Sequence, residues 1–376
     1  MKKSISQIIH LTSVHSRYDT RIFIKMCKSL VLNGYNVSLV VADSKGDEVK
    51  DGVSIVDVGA IIGGRLSRMI KTSSRVYEKA RELDGDIYHI HDPELIPTGL
   101  RLKKLGKKVI FDAHEDLPKQ ILSKSYLNKI SKIILSKIFE GYEHWSLPKY
   151  DYLIAATPFI RDKLLKINPN TVDINNFPLL NELKISSGTH KENAVAYIGG
   201  ISETRGIIEV ILALSYTQNV RLNLAGSFSE SIFEEKIKKY ESWSKVNTLG
   251  FLNRQQVSEV LAKSCAGIVT LYPVTNYIVS LPVKMFEYMS AGLPVIASNF
   301  SLWREIIEGN ECGICVDPLN PKAIGDAIQY LVDSPQKAEQ MGKNGRKAVE
   351  QKYNWSMEEK KLLTLYKDLL QLKLLP

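Results

Sequence analysis

A chain of 376 residues, 44% hydrophobic and 24% charged, has an ordinary globular composition and is long enough for two domains, each with its own core. No run approaches the roughly eighteen apolar residues of a membrane-crossing helix, and the opening MKKSISQIIHLTSVHS has an apolar run too short for a signal peptide, so a cytoplasmic protein is expected. A net charge of +9 leaves nucleic acid, an anionic membrane surface and phosphorylated substrates as partner classes, and the position of the charges has to decide among them.

Apolar runs at Ile5 to Leu11, Val37 to Val41, Val53 to Val58, Ile87 to Ile90, Lys108 to Phe111 and Tyr152 to Ala156 alternate with helical stretches. This is the pattern of a parallel sheet covered on both faces. In such sheets ligands bind at the carboxyl ends of the strands, so the loops there are searched first. The loop after the first strand, Thr12 to Thr20, leads into a helix beginning near Asp19 and contains no glycine, which removes a dinucleotide fingerprint. Asp84 and Asp86 precede a strand and read as a turn rather than a metal site. HIHDPELIP places His91 and Asp92 at one strand end. FDAHEDLP places Asp112, His114, Glu115 and Asp116 at the next, so ionisable groups from neighbouring strands converge on one crevice.

Lys119, Lys124, Lys129, Lys132 and Lys137 share a segment with Ile121, Leu122, Leu127, Ile130, Ile133, Ile134, Leu135, Ile138 and Phe139. A helix across 119–145 would be basic on one side and apolar on the other, with Tyr142, His144 and Trp145 suited to lipid headgroups. A core helix with solvated lysines is the equal alternative. Nucleic acid falls away, because no binding motif accompanies the charge.

Residues from Asn176 to Glu192 are polar and turn-rich and read as a linker. The alternation then restarts at Ala194 to Ile198, Arg221 to Ala225, Val246 to Leu249, Gly267 to Leu271, Val295 to Ala297 and Gly313 to Val316, so a second doubly wound domain is expected over 193–355 after a first over 1–180. Asn354 to Ser356 marks a break and an N-cap before a last helix, 356–376, reaching about Leu374 and expected to pack back on the first domain. Cys27 and Cys265 sit alone. Cys312 and Cys315 form C-x-x-C, but without a second pair or accompanying histidines the run reads as a glycine turn entering a strand.

Strand ends of the second half carry glycines: Gly199 and Gly200, followed by Arg205 and Gly206 opening a helix; Gly226 in LAGS; and TLGFL with Leu249 and Phe251. Glycine lets backbone approach a ligand closely, and an Arg at a helix start is a natural phosphate clamp. The stretch LPVKMFEYMSAGLPVIAS sets Glu287 in an otherwise apolar helix, stopped by Gly292 and Pro294. A buried carboxylate needs partners, and two vicinal hydroxyls of a ribose match its two oxygens.

In the order GG-x4-RG, LAG, LGF and SLPVKMFEYMSAGLPVIAS, the second half resembles the C-terminal domain of the GT-B glycosyltransferases, in particular the retaining enzymes of glycosyltransferase family 4. VHSRYDTRIFIKMCKSLVLNGYNVSLVV and FDAHED resemble that family's N-terminal domain. The resemblance implies an α/β GT-B fold: two doubly wound Rossmann-like domains facing a central cleft, donor nucleotide sugar mainly on the second and acceptor mainly on the first. It further implies that Glu287 holds the ribose hydroxyls, that Arg205 beside Gly199 and Gly200 neutralises the diphosphate, and that amides around Ser280, Leu281 and Pro282 cover the phosphates and sugar. Gly226, Leu249 and Phe251 would complete the donor site. His114 would lie near the reacting sugar, with Asp19, His91 and Glu115 by the acceptor. Two departures stand out. The first Glu of the family's E-x7-E motif falls at Val279, with Asn276 a candidate replacement, and the second basic group of the diphosphate is missing before Arg205, with Lys284 the candidate to supply it.

Breaking a bond from an anomeric carbon to a nucleoside diphosphate leaves negative charge on the phosphate, and Arg205, Lys284 and helix N-terminal amides would stabilise it without a metal or other cofactor. The expectation is a retaining glycosyltransferase, UDP-sugar favoured, hexosyl or N-acetylhexosaminyl, acting on a lipid-linked saccharide for bacterial capsule, exopolysaccharide or O-antigen. It would be peripheral on the inner membrane face through the basic helix. A nucleotide-sugar 2-epimerase, a phosphorylase and a non-catalytic sugar-nucleotide-binding partner on the same fold are the alternatives.

Overall fold

The structure is a computed structural model that describes residues 6–60, 64, 67–122, 128–180, 182–183 and 191–371. Lys124, Leu127, the middle of the expected linker and Leu374 lie outside the described residues. The chain divides into two compact units, Met1–Asn176 with Glu358–Pro376, and Phe177–Met357.

The first unit is built on an eight-stranded sheet in the order β3-β4-β2-β1-β5-β6-β7-β8. Its strands are β1 Gln7–Leu11, β2 Asn36–Val41, β3 Glu48–Lys50, β4 Val53–Asp57, β5 Ile87–Ile90, β6 Lys108–Ala113, β7 Tyr152–Ala155 and β8 Thr171–Asp173. All neighbours pair in parallel except β3 with β4. The order reverses at β1, which lies between β2 and β5, so the loops after β1 and β5 open the crevice where such sheets bind ligands. Asp19 N-caps the helix that follows β1, its carboxylate accepting from the Arg21 and Ile22 amides. From Glu358 onward the C-terminal helix Trp355–Gln371 belongs to this unit, with Leu362, Tyr366 and Leu369 buried. Asn354 caps its start by accepting from the Met357 amide.

The basic segment differs from a single helix over 119–145. It comprises a short helix Leu117–Leu122 and a longer one, Lys129–Ser146, capped by Asn128. The core-helix alternative requires the isoleucines to face inward. Instead Ser136, Glu143 and Ser146 are the buried positions, while Ile130, Ile133, Ile134, Ile138 and Trp145 are 50–71% exposed.

The second unit carries a six-stranded, wholly parallel sheet in the order β11-β10-β9-β12-β13-β14. The strands are β9 Ala194–Ile198, β10 Arg221–Ala225, β11 Val246–Gly250, β12 Ala266–Val269, β13 Val295–Ser298 and β14 Gly313–Val316. Strand residues alternate between two cores, as a sheet buried on both faces requires: Val195, Tyr197, Ile268 and Ile296 face one, Ala196, Val269, Val295 and Ala297 the other. The stretch read as a linker is partly core, because Phe177 and Leu183 are buried in the second unit against Phe286 and Tyr353. The second unit therefore begins well before residue 193, and the first ends at Asn176 rather than 180.

Candidate functional site

In the second unit, Gly199 and Gly200 follow β9 directly. Gly199 has φ +133° and Gly226, after the neighbouring β10, has φ +139°; a Cβ on Gly226 would lie 1.9 Å from the Gly199 carbonyl oxygen, so the two loops pass each other at a spacing only glycine allows. Gly206 (φ +72°) makes a similar approach to the Thr270 carbonyl and turns the chain from Arg205 into the helix Ile207–Ala213. Two cations lie over the glycine pair. A Cβ on Gly199 would stand 3.0 Å from Lys284 Nζ, and one on Gly200 3.5 Å from Arg205 Nη1.

Lys284 comes from the first turn of the helix Val283–Ser290 and is buried. Its ammonium lies over the Tyr197 ring, 3.7 Å from the centroid, and Nζ has no hydrogen-bond partner. Burial, reinforced by Arg205 and opposed by Glu287, pushes its pKa well below the usual lysine value. A buried amine next to a second cation with nothing to donate to is costly unless an anion completes it. The turn leading into this helix is fixed by Trp303, whose indole N–H donates to the Ser280 carbonyl at 2.7 Å. Ser280, Leu281 and Pro282 are half-buried there, and Val279, where the family carries its first Glu, closes the short helix Thr275–Ile278 that contains Asn276.

Glu287 is corrected in one respect. It is half-buried rather than isolated in a core, and its carboxylate accepts from Arg254 at 2.8 Å; Arg254 also pairs with Glu182 at 2.7 Å. Arg254 lies 33 residues away, and nothing in the sequence links the two. Leu249, the penultimate residue of β11, is half-buried, and Phe251 just beyond the strand is 85% exposed. Cys312 and Cys315 are free thiols, each pushed up to about 12 by burial, as a structural pair should be.

In the first unit, strand ends β1, β5 and β6 gather four histidines and two aspartates. Asp112 is fully buried and takes both arms of Arg21, at 2.9 and 2.7 Å. Burial works against its charge, but Arg21, His114 and His91 hold its pKa well below the usual carboxylate range. His114 Nε2 lies 3.1 Å from Asp112 Oδ2 and His91 Nδ1 3.3 Å from the same oxygen. His91 Nε2 lies 2.9 Å from His10 Nδ1, so both ring nitrogens of His91 are engaged within the protein, and His91 lines the cavity beside His114 without a free ring nitrogen to offer. Asp19, likewise expected at the acceptor, spends its carboxylate on the helix cap and on His15. Glu115 is exposed and takes a bond from Gln120.

Two groupings here, His10 with His89 and His91, and His91 with Asp112 and His114, bring three potential metal-ligand atoms within 4.8 Å of one another. The rings of His10, His89 and His91 lie stacked or tilted at 15–36°, and near-parallel rings do not aim their lone pairs at one point. Hydrogen bonding accounts for their arrangement better than chelation does.

A cavity of about 270 Å³ opens beside His114, floored by Ile96, Phe111, Leu147 and Ile160 and edged by His15 and Lys163. His15, which sequence reasoning passed over, sits 3.3 Å from Asp92 and 3.6 Å from Asp19. Burial opposes its charge, but these carboxylates raise its pKa above the ordinary histidine value. Its signal was present in the sequence only as one polar residue of the loop after β1.

Residues 20–174 match Glycosyltransferase Family 4, and residues 181–348 match Glycosyl transferases group 1. The chain belongs to the GT-B glycosyltransferases of the family 4 type. Among curated relatives, this glycosyltransferase is 26% identical over 371 residues to the uncharacterised glycosyltransferase MJ1607 of Methanocaldococcus jannaschii, covering 91% of this chain and 92% of that protein. It is 27% identical over 199 residues to spore coat protein SA of Bacillus subtilis, and 26% over 218 residues to the capsular polysaccharide biosynthesis glycosyltransferase CapM of Staphylococcus aureus. The last two matches span about half the length of the relatives, 51% and 54%. In fold it is similar to sucrose-phosphate synthase from Thermosynechococcus elongatus, with a TM-score of 0.79 and 17% identity over 97% of this chain and 99% of that one. It is also similar to Anabaena HepE solved in complex with UDP-glucose, with a TM-score of 0.72 and 14% identity over 96% and 100%.

Proposed function

We propose that this glycosyltransferase moves a hexosyl or N-acetylhexosaminyl group, with retention, from a nucleoside diphosphate sugar to a lipid-linked saccharide in bacterial surface polysaccharide assembly. The observation that carries the donor side is the buried, unpartnered Lys284 amine beside Arg205 over the glycine pair. A diphosphate supplies the acceptor oxygens and negative charge this spot lacks. Glu287 holds the ribose, its orientation fixed by Arg254. UDP is the favoured nucleotide; the Anabaena neighbour was solved with UDP and with UDP-glucose. The anomeric C–O bond to the phosphate breaks as the bond to the acceptor oxygen forms on the same face. The acceptor proton passes to the departing phosphate oxygen, while Arg205 and Lys284 take up its charge, so the proposal assigns no metal.

The acceptor side rests on the cavity beside His114, whose apolar floor and charged edge suit a saccharide joined to a lipid. The protein would reach that substrate at the inner membrane face through the helix Lys129–Ser146, where outward isoleucines lie among Lys129, Lys132 and Lys137. Among the described residues no helix is long and apolar enough to cross a membrane. The name of the Staphylococcus aureus relative, a capsular polysaccharide biosynthesis enzyme, points to the same setting.

Calorimetric titration of UDP into the wild-type protein and Glu287→Ala tests the donor assignment. Binding should weaken at least tenfold in the variant, and equal affinity would overturn the ribose role.

A further inference from the structure

The histidines behind His114 form more than a packed cluster. His89 Nδ1 lies 2.8 Å from the Tyr366 hydroxyl, which lies 3.3 Å from His10 Nε2. His10 Nδ1 lies 2.9 Å from His91 Nε2, and His91 Nδ1 and His114 Nε2 both meet Asp112 Oδ2. His10, His89, His91 and Asp112 are each 0–1% exposed, and Tyr366 is fully buried. We propose that this chain of hydrogen bonds runs in one direction from Tyr366 to Asp112 and fixes His114 as the tautomer protonated on Nε2, leaving the lone pair on Nδ1 for substrate.

The direction follows from donor and acceptor inventory. Asp112, paired with Arg21, only accepts, so His91 must donate through Nδ1 and His114 through Nε2. A neutral imidazole has one N–H, so His91 Nε2 is then a bare acceptor and His10 must donate to it through Nδ1. That leaves His10 Nε2 as an acceptor, and only the Tyr366 hydroxyl is there to donate. With its proton so used, the Tyr366 oxygen accepts from His89 Nδ1. Apart from His114 Nδ1, the scheme leaves one bare nitrogen, His89 Nε2, and among the described residues that is the buried histidine nitrogen without a hydrogen-bond partner, 3.9 Å from Asp112 Oδ2. Neutrality is secured by surroundings: burial, reinforced by neighbouring histidines and opposed by Asp112, keeps His10 and His89 well below the ordinary histidine pKa. Burial likewise lowers His91, against Asp112, and raises Tyr366 well above the usual phenol value. The other ionisable groups facing the chain are Arg21 on Asp112, Asp92 and His15 toward the cavity, and Cys27 and Tyr35 near Tyr366. Reversing the His10–His91 link would put the single proton of a neutral His91 on Nε2 and turn its Nδ1 lone pair against the Asp112 carboxylate.

Asp112, His91, His10 and Tyr366 are thus positioning residues for His114, and their value to turnover rests on the transferase reading above. The tautomers themselves do not. Two-bond proton–nitrogen correlation spectra of the histidine-labelled full-length protein should show His10, His89 and His91 protonated on Nδ1 and His114 on Nε2. Finding His10 or His91 protonated on Nε2, or His114 on Nδ1, overturns the chain even if UDP binds as proposed. Asp112→Asn replaces an acceptor with a group that also donates. It should mix the His91 and His114 tautomers and lower nucleotide-sugar turnover about 100-fold or more, with UDP affinity within twofold of wild type. Unchanged turnover in a folded Asp112→Asn protein refutes the positioning role; if that variant does not fold, the wild-type spectra decide alone.

Discussion

Lys284→Met should separate stability from function. In the unliganded protein the lysine amine is buried, unpaired and close to Arg205. Leaving such a donor unsatisfied costs about 1–3 kcal/mol, and its position over the Tyr197 ring returns about 1–2 kcal/mol of that when charged. Methionine keeps the unbranched shape and removes the polar atom. The variant should therefore unfold at the parent temperature or above it, by up to about 2 kcal/mol. For a unit the size of Phe177–Met357, each kcal/mol is roughly 2–4 °C. The diphosphate would lose a charge-assisted bond of about 1.5–3 kcal/mol, which weakens UDP roughly 10- to 150-fold. Thermal melting with and without nucleotide, together with calorimetric titration, measures both quantities. A variant that melts well below the parent yet binds UDP within twofold would show Lys284 to be a structural residue and refute the reasoning.

Three further outcomes follow from the same geometry. Because the free Lys284 amine is depressed and a bound diphosphate restores it, UDP binding should take up a proton. Affinity should fall as pH rises from the lowered value of the free amine toward that of the complex, and titrations in buffers of different ionisation heat should detect the uptake. Gly226→Ala should cost at least about 1–3 kcal/mol and abolish UDP binding, since its Cβ would meet the Gly199 carbonyl oxygen; a melting temperature within about a degree of wild type contradicts that close approach. Ile134→Glu with Ile138→Glu should leave stability within about 0.5 kcal/mol, as for other exposed positions, while reducing co-sedimentation with anionic phospholipid vesicles severalfold. Undiminished vesicle binding would remove the membrane role of the helix.

Much of the fold was legible because buried parallel strands leave apolar runs: Ile87 to Ile90 and Ala194 to Ile198 coincide with β5 and β9. The strands Glu48–Lys50 and Thr171–Asp173 escaped because three residues at a sheet edge, two of them polar in each strand, carry no such run. In the second unit the strand-end glycines, Arg205 and Glu287 stood out in the sequence and Lys284 came in through the family resemblance, whereas Arg254 was not legible, because its pairing with Glu287 is made only by tertiary structure. The same holds for the histidine chain. His10 and His91 are 81 residues apart and Tyr366 and His10 are 356 apart, and each alone looks like a residue in an apolar strand or helix. The helix Lys129–Ser146 shows a different limit: composition gave an apolar and a basic face, but only packing reveals that Ser136 and Glu143 turn inward while the isoleucines turn out.

The most direct test of glycosyl transfer is release of nucleoside diphosphate from a panel of nucleotide sugars, with the configuration of the freed or transferred sugar followed by proton spectra. The account predicts UDP release from at least one UDP-sugar, with the anomeric configuration of the donor preserved in the first-formed product. No diphosphate released from any donor in the panel, or release accompanied by a 2-epimerised sugar, would contradict it.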